Sequence, residues 1–257
     1  MKLFGENEAI DQHCIQCNQP ISQEARYCNY CGTFQMAHKV ADTEENNKII
    51  GILTIFFGIF LLVCLISNFT GFGRGLIALF VSDGILSIVT IGYAAYFWKD
   101  LKKLFRWAHF SIIKFIAYAS AASVAAVLVN YLARWLNKTI FDSESYYYYA
   151  FSHLKYARLV TILVVALQPA IFEELAFRGV LQEGLNKITD RNQAIFVSAF
   201  LFALLHMSII SFLWLLPFAL WLGYIRNREK TIWYGVVIHF FFNGTACFLE
   251  FFELNLF

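Results

Sequence analysis

The chain has 257 residues, 59% hydrophobic and 15% charged, with a mean hydropathy of +0.58. An average soluble domain carries about 25% charged residues, so these values describe a polytopic membrane protein. A net charge of +2 and a pI near 8.2 are too mild for a nucleic-acid partner, and no basic stripe with interleaved aromatics accompanies them.

Residues 1–33 contain Cys14, Cys17, Cys28 and Cys31 in a C-x2-C-x10-C-x2-C pattern, two knuckles joined by a short hairpin from Asn18 to Tyr27. Two such knuckles can converge on one tetrahedral ion, which predicts a zinc ribbon. Two disulfides or a redox-active pair are the alternatives. The segment has almost no core of its own, so a structural zinc would have to supply most of its folding energy. With four thiolates closing the site, His13 and His38 are expected to be solvated neighbours. The first 48 residues lack an apolar signal-peptide core, so the amino terminus is expected in the mature protein. Residues 34–48 are polar, of mixed charge and without periodicity, and read as a linker.

Residues 49–257 form the predicted membrane domain, an all-α bundle of about seven spans. Ile49 to Phe69, Gly75 to Trp98 and Phe110 to Trp135 each reach the ~20 residues a spanning helix needs. A fourth run begins near Ala157 and ends between Gly179 and Leu185. The long run from Ala194 to Tyr224 is divided at Met207 and Ser208, and its first piece is short for a crossing. Ile232 to Phe252 is the last span. Lys and Arg gather in the loops on the amino-terminal side of this topology, which places the ribbon in the cytoplasm. A reducing compartment agrees with metal-bound thiols. Tyr146 to Tyr149 read as an interfacial anchor, and Cys64 and Cys247 as buried, inert thiols. Asp83, inside the second span, reads as a substrate contact, a packing aspartate, or a local break before Gly84.

The fourth run carries Glu173, Glu174 and Arg178. Charges at membrane depth are costly, about 2.5 to 3.5 kcal/mol each on insertion scales, and mark functional sites by default. Glu174 and Arg178 are spaced i and i+4 and make the expected ion pair, whereas Glu173 lies roughly 100° further round without a partner. Pro169 brings no N–H to the carbonyl of Val165, so the helix should open beside the carboxylates. Two more polar pairs follow at the same spacing, Phe202 with His206 and His239 with Asn243. A carboxylate, two imidazoles and a carboxamide form a hydrolytic kit: a glutamate as general base for water, a histidine to hold that water, and the other histidine with Asn243 as oxyanion donors. Glu173, His206 and His239 could instead hold a catalytic divalent metal with an open position.

EELAFRG at 173–179, FALLH at 202–206 and HFFFN at 239–243 resemble the three motifs of the CAAX prenyl protease and bacteriocin-processing family, intramembrane endopeptidases described both as metalloproteases and as metal-independent glutamate proteases. The resemblance covers about residues 157–252. It implies that Glu173 and His206 activate water, that His239 and Asn243 form the oxyanion hole, and that Glu174 and Arg178 hold the geometry. Fusion to a zinc ribbon fits a bacterial relative in the cell membrane, acting on a peptide or membrane protein near the cytoplasmic face rather than on a prenylated tail. A non-catalytic scaffold or bacteriocin self-immunity factor docking through the ribbon is the competing expectation, and a proton-relaying transporter a third.

Overall fold

The computed structural model describes residues 12–14, 16–21, 27–33, 43–70, 75–107, 110–142 and 146–254. Two compact units divide the chain, Met1–Lys48 and Ile49–Phe257. In the first, β1 (Gln12–His13) pairs antiparallel with β2 (Pro20–Ile21), with His13 opposite Pro20. Among the described residues Cys14, Ile21 and Cys28 are its buried apolar ones, a core too small to fold without help. His38, residues 34–42 of the expected linker and residues 22–26 of the hairpin lie outside the described residues. Thr43 to Lys48, read from sequence as linker, instead begin a helix; Glu44 and Glu45 fall in its first turn, where acidic side chains complement the helix dipole.

The second unit is helical, as its hydrophobic runs require. In chain order come α1 (Thr43–Phe69), α2 (Leu76–Tyr96), α3 (Ile112–Phe141), α4 (Ala157–Ile188), α5 (Arg191–Leu205), α6 (Ile209–Glu229) and α7 (Trp233–Glu253). Six of these are long and apolar enough to cross a membrane, and α5 is the shorter exception. The expected seven crossings therefore become six long helices and one of 15 residues. Such a helix rises about 22 Å, short of the ~30 Å hydrocarbon core. The chain turns at Met207, whose φ of 49° is left-handed, and Ser208 caps α6 by accepting from the Ser211 N–H.

Ion pairs fix which helix ends lie together. Lys103 and Arg226 both reach Glu183, and Lys114 reaches Glu229 at 2.6 Å. Thr231 and Trp233 donate to the carbonyls of Leu104 and Phe105. The end of α6 thus returns to the same end of the bundle as the end of α4. At the opposite end Arg134 pairs with Glu253, and Glu250 accepts from the Tyr148 N–H.

One apolar core joins α1, α2, α4, α5 and α6 through Phe56, Phe60, Phe177 and Phe202; a second joins α3, α6 and α7 through Ala122, Leu222 and Ile238. Outward positions such as Ile77, Ile88, Ile113 and Leu128 are more than half exposed, as a lipid-facing surface demands.

Candidate active site

The functional helix is not uniformly α-helical. Within α4, Ile162–Leu167 and Glu174–Leu181 are π-helical, and they flank the α-helical turn Gln168–Glu173. π segments widen the turn and recur at functional sites. Pro169 stands in the first turn after the first π segment, where its missing N–H is tolerated. The carbonyl of Val165, four residues earlier, accepts from Asn243 Nδ2 at 3.0 Å. A side chain of α7 therefore satisfies the oxygen that Pro169 leaves without a donor. In the second π segment, the Phe177 carbonyl accepts from the Ser198 hydroxyl of α5 at 2.9 Å.

The two adjacent glutamates occupy different environments. Glu174 is fully buried and lies 3.1 Å from Arg178 Nη1. Arg178, 1% exposed, also donates to the Ala219 carbonyl and stacks its guanidinium 4.7 Å from the Phe202 ring centre. Gly235 of α7 lies against the same carboxylate: a Cβ there would come within 2.7 Å of Glu174 Oε2. Glu173 faces a cavity of about 230 Å³, and its side chain remains 32% exposed.

His239 bridges the pair. Its Nδ1 is 3.0 Å from Glu174 Oε1 and its Nε2 3.7 Å from Glu173 Oε2, while the rings of Phe202 and Phe218 meet it edge-on. The Nδ1 proton then belongs to the bond with Glu174, leaving Nε2 towards Glu173. His206, the residue that ends α5, lines the same cavity as Glu173. Its Nδ1 donates to the Phe202 carbonyl at 3.1 Å, so Nε2 holds the free lone pair.

Of the residues read from sequence, Glu173 and His206 share the cavity wall, His239 contacts both glutamates from behind, and Glu174 and Arg178 are walled in beneath. Asn243 is not on the cavity, and one of its two N–H groups is committed to Val165. The cavity adds Asp83 and Gln168 to the set; Gln168 Nε2 is held by the Ser87 hydroxyl at 3.1 Å. Asp83 was visible as an intramembrane charge, but its neighbour at the site sits 90 residues away (173 less 83), a distance that helical periodicity cannot bridge. Gln168 was visible only as a polar residue before Pro169.

In the ribbon, the four cysteine sulfurs lie within 4.8 Å of one another, with Cys14 to Cys31 at 3.5 Å and Cys17 to Cys28 at 3.6 Å. A disulfide needs about 2.05 Å, whereas tetrahedral Zn–S bonds of about 2.3 Å separate sulfurs by roughly 3.8 Å. The cluster has the spacing of a zinc site. Burial raises the Cys14 thiol, but N–H groups of Cys17 and Gln16 directed at its sulfur outweigh that and bring it down to about 6. Thr33 likewise holds Cys31 low through its hydroxyl. Among the described residues, no other group of three or more His, Cys, Asp or Glu gathers its ligand atoms this closely. Glu173, His206 and His239 do not form such a group.

Ionisable side chains around a cavity among apolar, spanning-length helices, flanked by π-helical turns, have the character of a functional site. Residues 155–245 match the family described as Type II CAAX prenyl endopeptidase Rce1-like, a protease family. That match holds all six motif residues, so this part of the chain is similar to that protease family. No curated protein and no solved structure matches the chain.

Proposed function

We propose that the protein is an intramembrane endopeptidase in which Glu173 is the general base, acting on a peptide or membrane-protein substrate near the cytoplasmic face. The observation that carries this reading is the division between the glutamates: Glu174 is spent on Arg178 and His239, while Glu173 opens with His206 onto the cavity.

In the proposed reaction a water in the cavity gives a proton to Glu173 as its oxygen attacks the scissile carbonyl carbon. His206 Nε2 accepts a hydrogen bond from that water and orients it. The tetrahedral intermediate carries its charge on the former carbonyl oxygen. Collapse breaks the C–N bond, and the proton on Glu173 passes to the leaving amine. His239 turns Nε2 towards Glu173 at 3.7 Å, and Glu174 with Arg178 fixes its ring. For an oxyanion role Asn243 has its second N–H to offer, the first remaining on Val165. No step is routed through a metal, since Glu173 and the two histidines do not converge as a ligand set.

The cavity walls contributed by Phe60, Leu86, Phe172 and Phe177 fit an apolar stretch of substrate, with Asp83 and Gln168 as the polar contacts. Positive loop charge supports a cytoplasmic ribbon, which would hold a structural zinc on Cys14, Cys17, Cys28 and Cys31 and lie on the side from which the substrate is presented.

The test is turnover of a transmembrane peptide by the full chain in proteoliposomes. Glu173→Gln and His206→Ala should each cost about 10²–10⁴-fold in rate while both variants remain folded. Unchanged turnover by Glu173→Gln would remove the general-base assignment.

A further inference from the structure

A second, larger cavity opens away from the catalytic cluster, at the end of the bundle where the end of α6, the start of α7 and the segment after α2 meet. Its volume is about 410 Å³. Lys103, Arg106, Arg226 and Lys230 contribute four cations to its wall, against the two carboxylates of Glu183 and Glu229. Both carboxylates are already spent. Glu183 pairs with Lys103 at 2.7 Å and with Arg226; Glu229 pairs with Lys114 at 2.6 Å and accepts from the Tyr118 hydroxyl at 3.0 Å. Among the described residues, Arg106 and Lys230 have no carboxylate partner.

The interior of the wall is also underused. Arg226 is 4% exposed and held rigidly between Glu183 and Asn227, yet its buried Nε has no acceptor, and the buried Asn227 Nδ2 has none either. Two cations without a carboxylate partner on this wall favour an anion with several acceptor oxygens.

The surroundings indicate how that anion is presented. Trp107, on the cavity wall, stacks on Trp233 with ring centres 6.0 Å apart and meets Tyr234 edge-on. Indoles and phenols of this kind mark the headgroup level of a membrane. Phe110 and Ile113, a few residues on in the chain, are 51% and 77% exposed and add to the apolar surface beside the cavity. A basic cavity at headgroup level with a lipid-facing apolar strip below it matches a phosphate and the acyl chains attached to it.

We propose that this cavity binds the phosphate of an anionic phospholipid headgroup, at a site separate from the catalytic cluster. The proposal stands whether or not the protease reading does.

The test uses the purified full chain in detergent, with retained lipid counted by native mass spectrometry and lipid-dependent protection followed by thermal unfolding. Phosphatidylglycerol should bind roughly tenfold or more tightly than phosphatidylcholine. The Arg106→Gln/Lys230→Gln variant should lose that preference by a similar factor. Lys99→Gln/Lys102→Gln, which removes the same charge from exposed positions outside the cavity, should keep it. Equal losses in the two double variants would reduce the effect to general surface charge and overturn the site. Equal binding of the two lipids by the wild type would overturn it without any variant. Protection by millimolar inorganic phosphate equal to that by phosphatidylglycerol would overturn the lipid assignment and make free phosphate the ligand.

Discussion

Gly235→Ala places one methyl group against the carboxylate that anchors the catalytic cluster. The added Cβ would stand 2.7 Å from Glu174 Oε2, where ordinary contact begins at 3.4 Å, so about 0.7 Å must be found. Glu174 cannot supply it freely, because its Oε1 sits 3.1 Å from Arg178 and 3.0 Å from His239. A shift of that size would stretch at least one contact beyond hydrogen-bond length. Overpacking of this kind costs about 1–3 kcal/mol, and weakening a buried ion pair adds to it, while replacing a helical glycine by alanine returns only about 0.5–1 kcal/mol. The net expectation is a loss of roughly 1–2 kcal/mol, accompanied by lower kcat as His239 moves. Gly58→Ala in α1 provides the contrast: nothing lies within 4 Å of its added Cβ, so the same substitution should be neutral or stabilising by about 0.5–1 kcal/mol. Thermal unfolding of both variants in detergent, followed by tryptophan fluorescence, reads the difference. A Gly235→Ala protein as stable as Gly58→Ala would refute the close packing of α7 on Glu174.

Other consequences follow from the same contacts. Arg178→Ala strands Glu174 with 0% exposure and should destabilise by about 3–5 kcal/mol, whereas Glu174→Gln with Arg178→Met removes both charges and should recover much of that loss in the same unfolding assay. Asn243→Leu leaves the Val165 carbonyl without a donor, for a cost of about 1–3 kcal/mol; hydrogen exchange in the stretch from Ile162 to Leu167 should rise. Full-length protein should carry one zinc per chain by elemental analysis. Cys28→Ser should lose the metal with little change in the helical circular dichroism, since the ribbon and the helical unit are separate compact units.

Much of the catalytic cluster was legible because helical periodicity is local. The spacing of Glu174 and Arg178 sufficed to pair them, and the chemistry of Pro169 sufficed to release the Val165 carbonyl. That Asn243 would collect this carbonyl was not legible, since the donor lies 78 residues away on another helix. Asn243 was read as an oxyanion donor from its chemistry and from the resemblance; the structure also gives it a bond to the Val165 carbonyl. The π-helical turns left no mark in the residue pattern, because an apolar run reads alike at either pitch. The division at Met207 and Ser208 was legible, and the piece before it, short for a crossing in the sequence, is the 15-residue α5. Arg226 was read as loop charge, and only the folded chain pairs it with Glu183. The cysteine spacing was enough to predict that the four sulfurs gather, because two knuckles can converge whatever the intervening residues do.

The central claim, that Glu173 activates water for peptide hydrolysis, is tested most directly by comparing new protein termini and membrane-associated peptides, by mass spectrometry, in cells expressing wild type or Glu173→Gln at matched levels. The account predicts a defined set of cleavage products in wild type that disappears in the variant. Identical sets of termini, with the variant correctly inserted and as abundant as wild type, would contradict it.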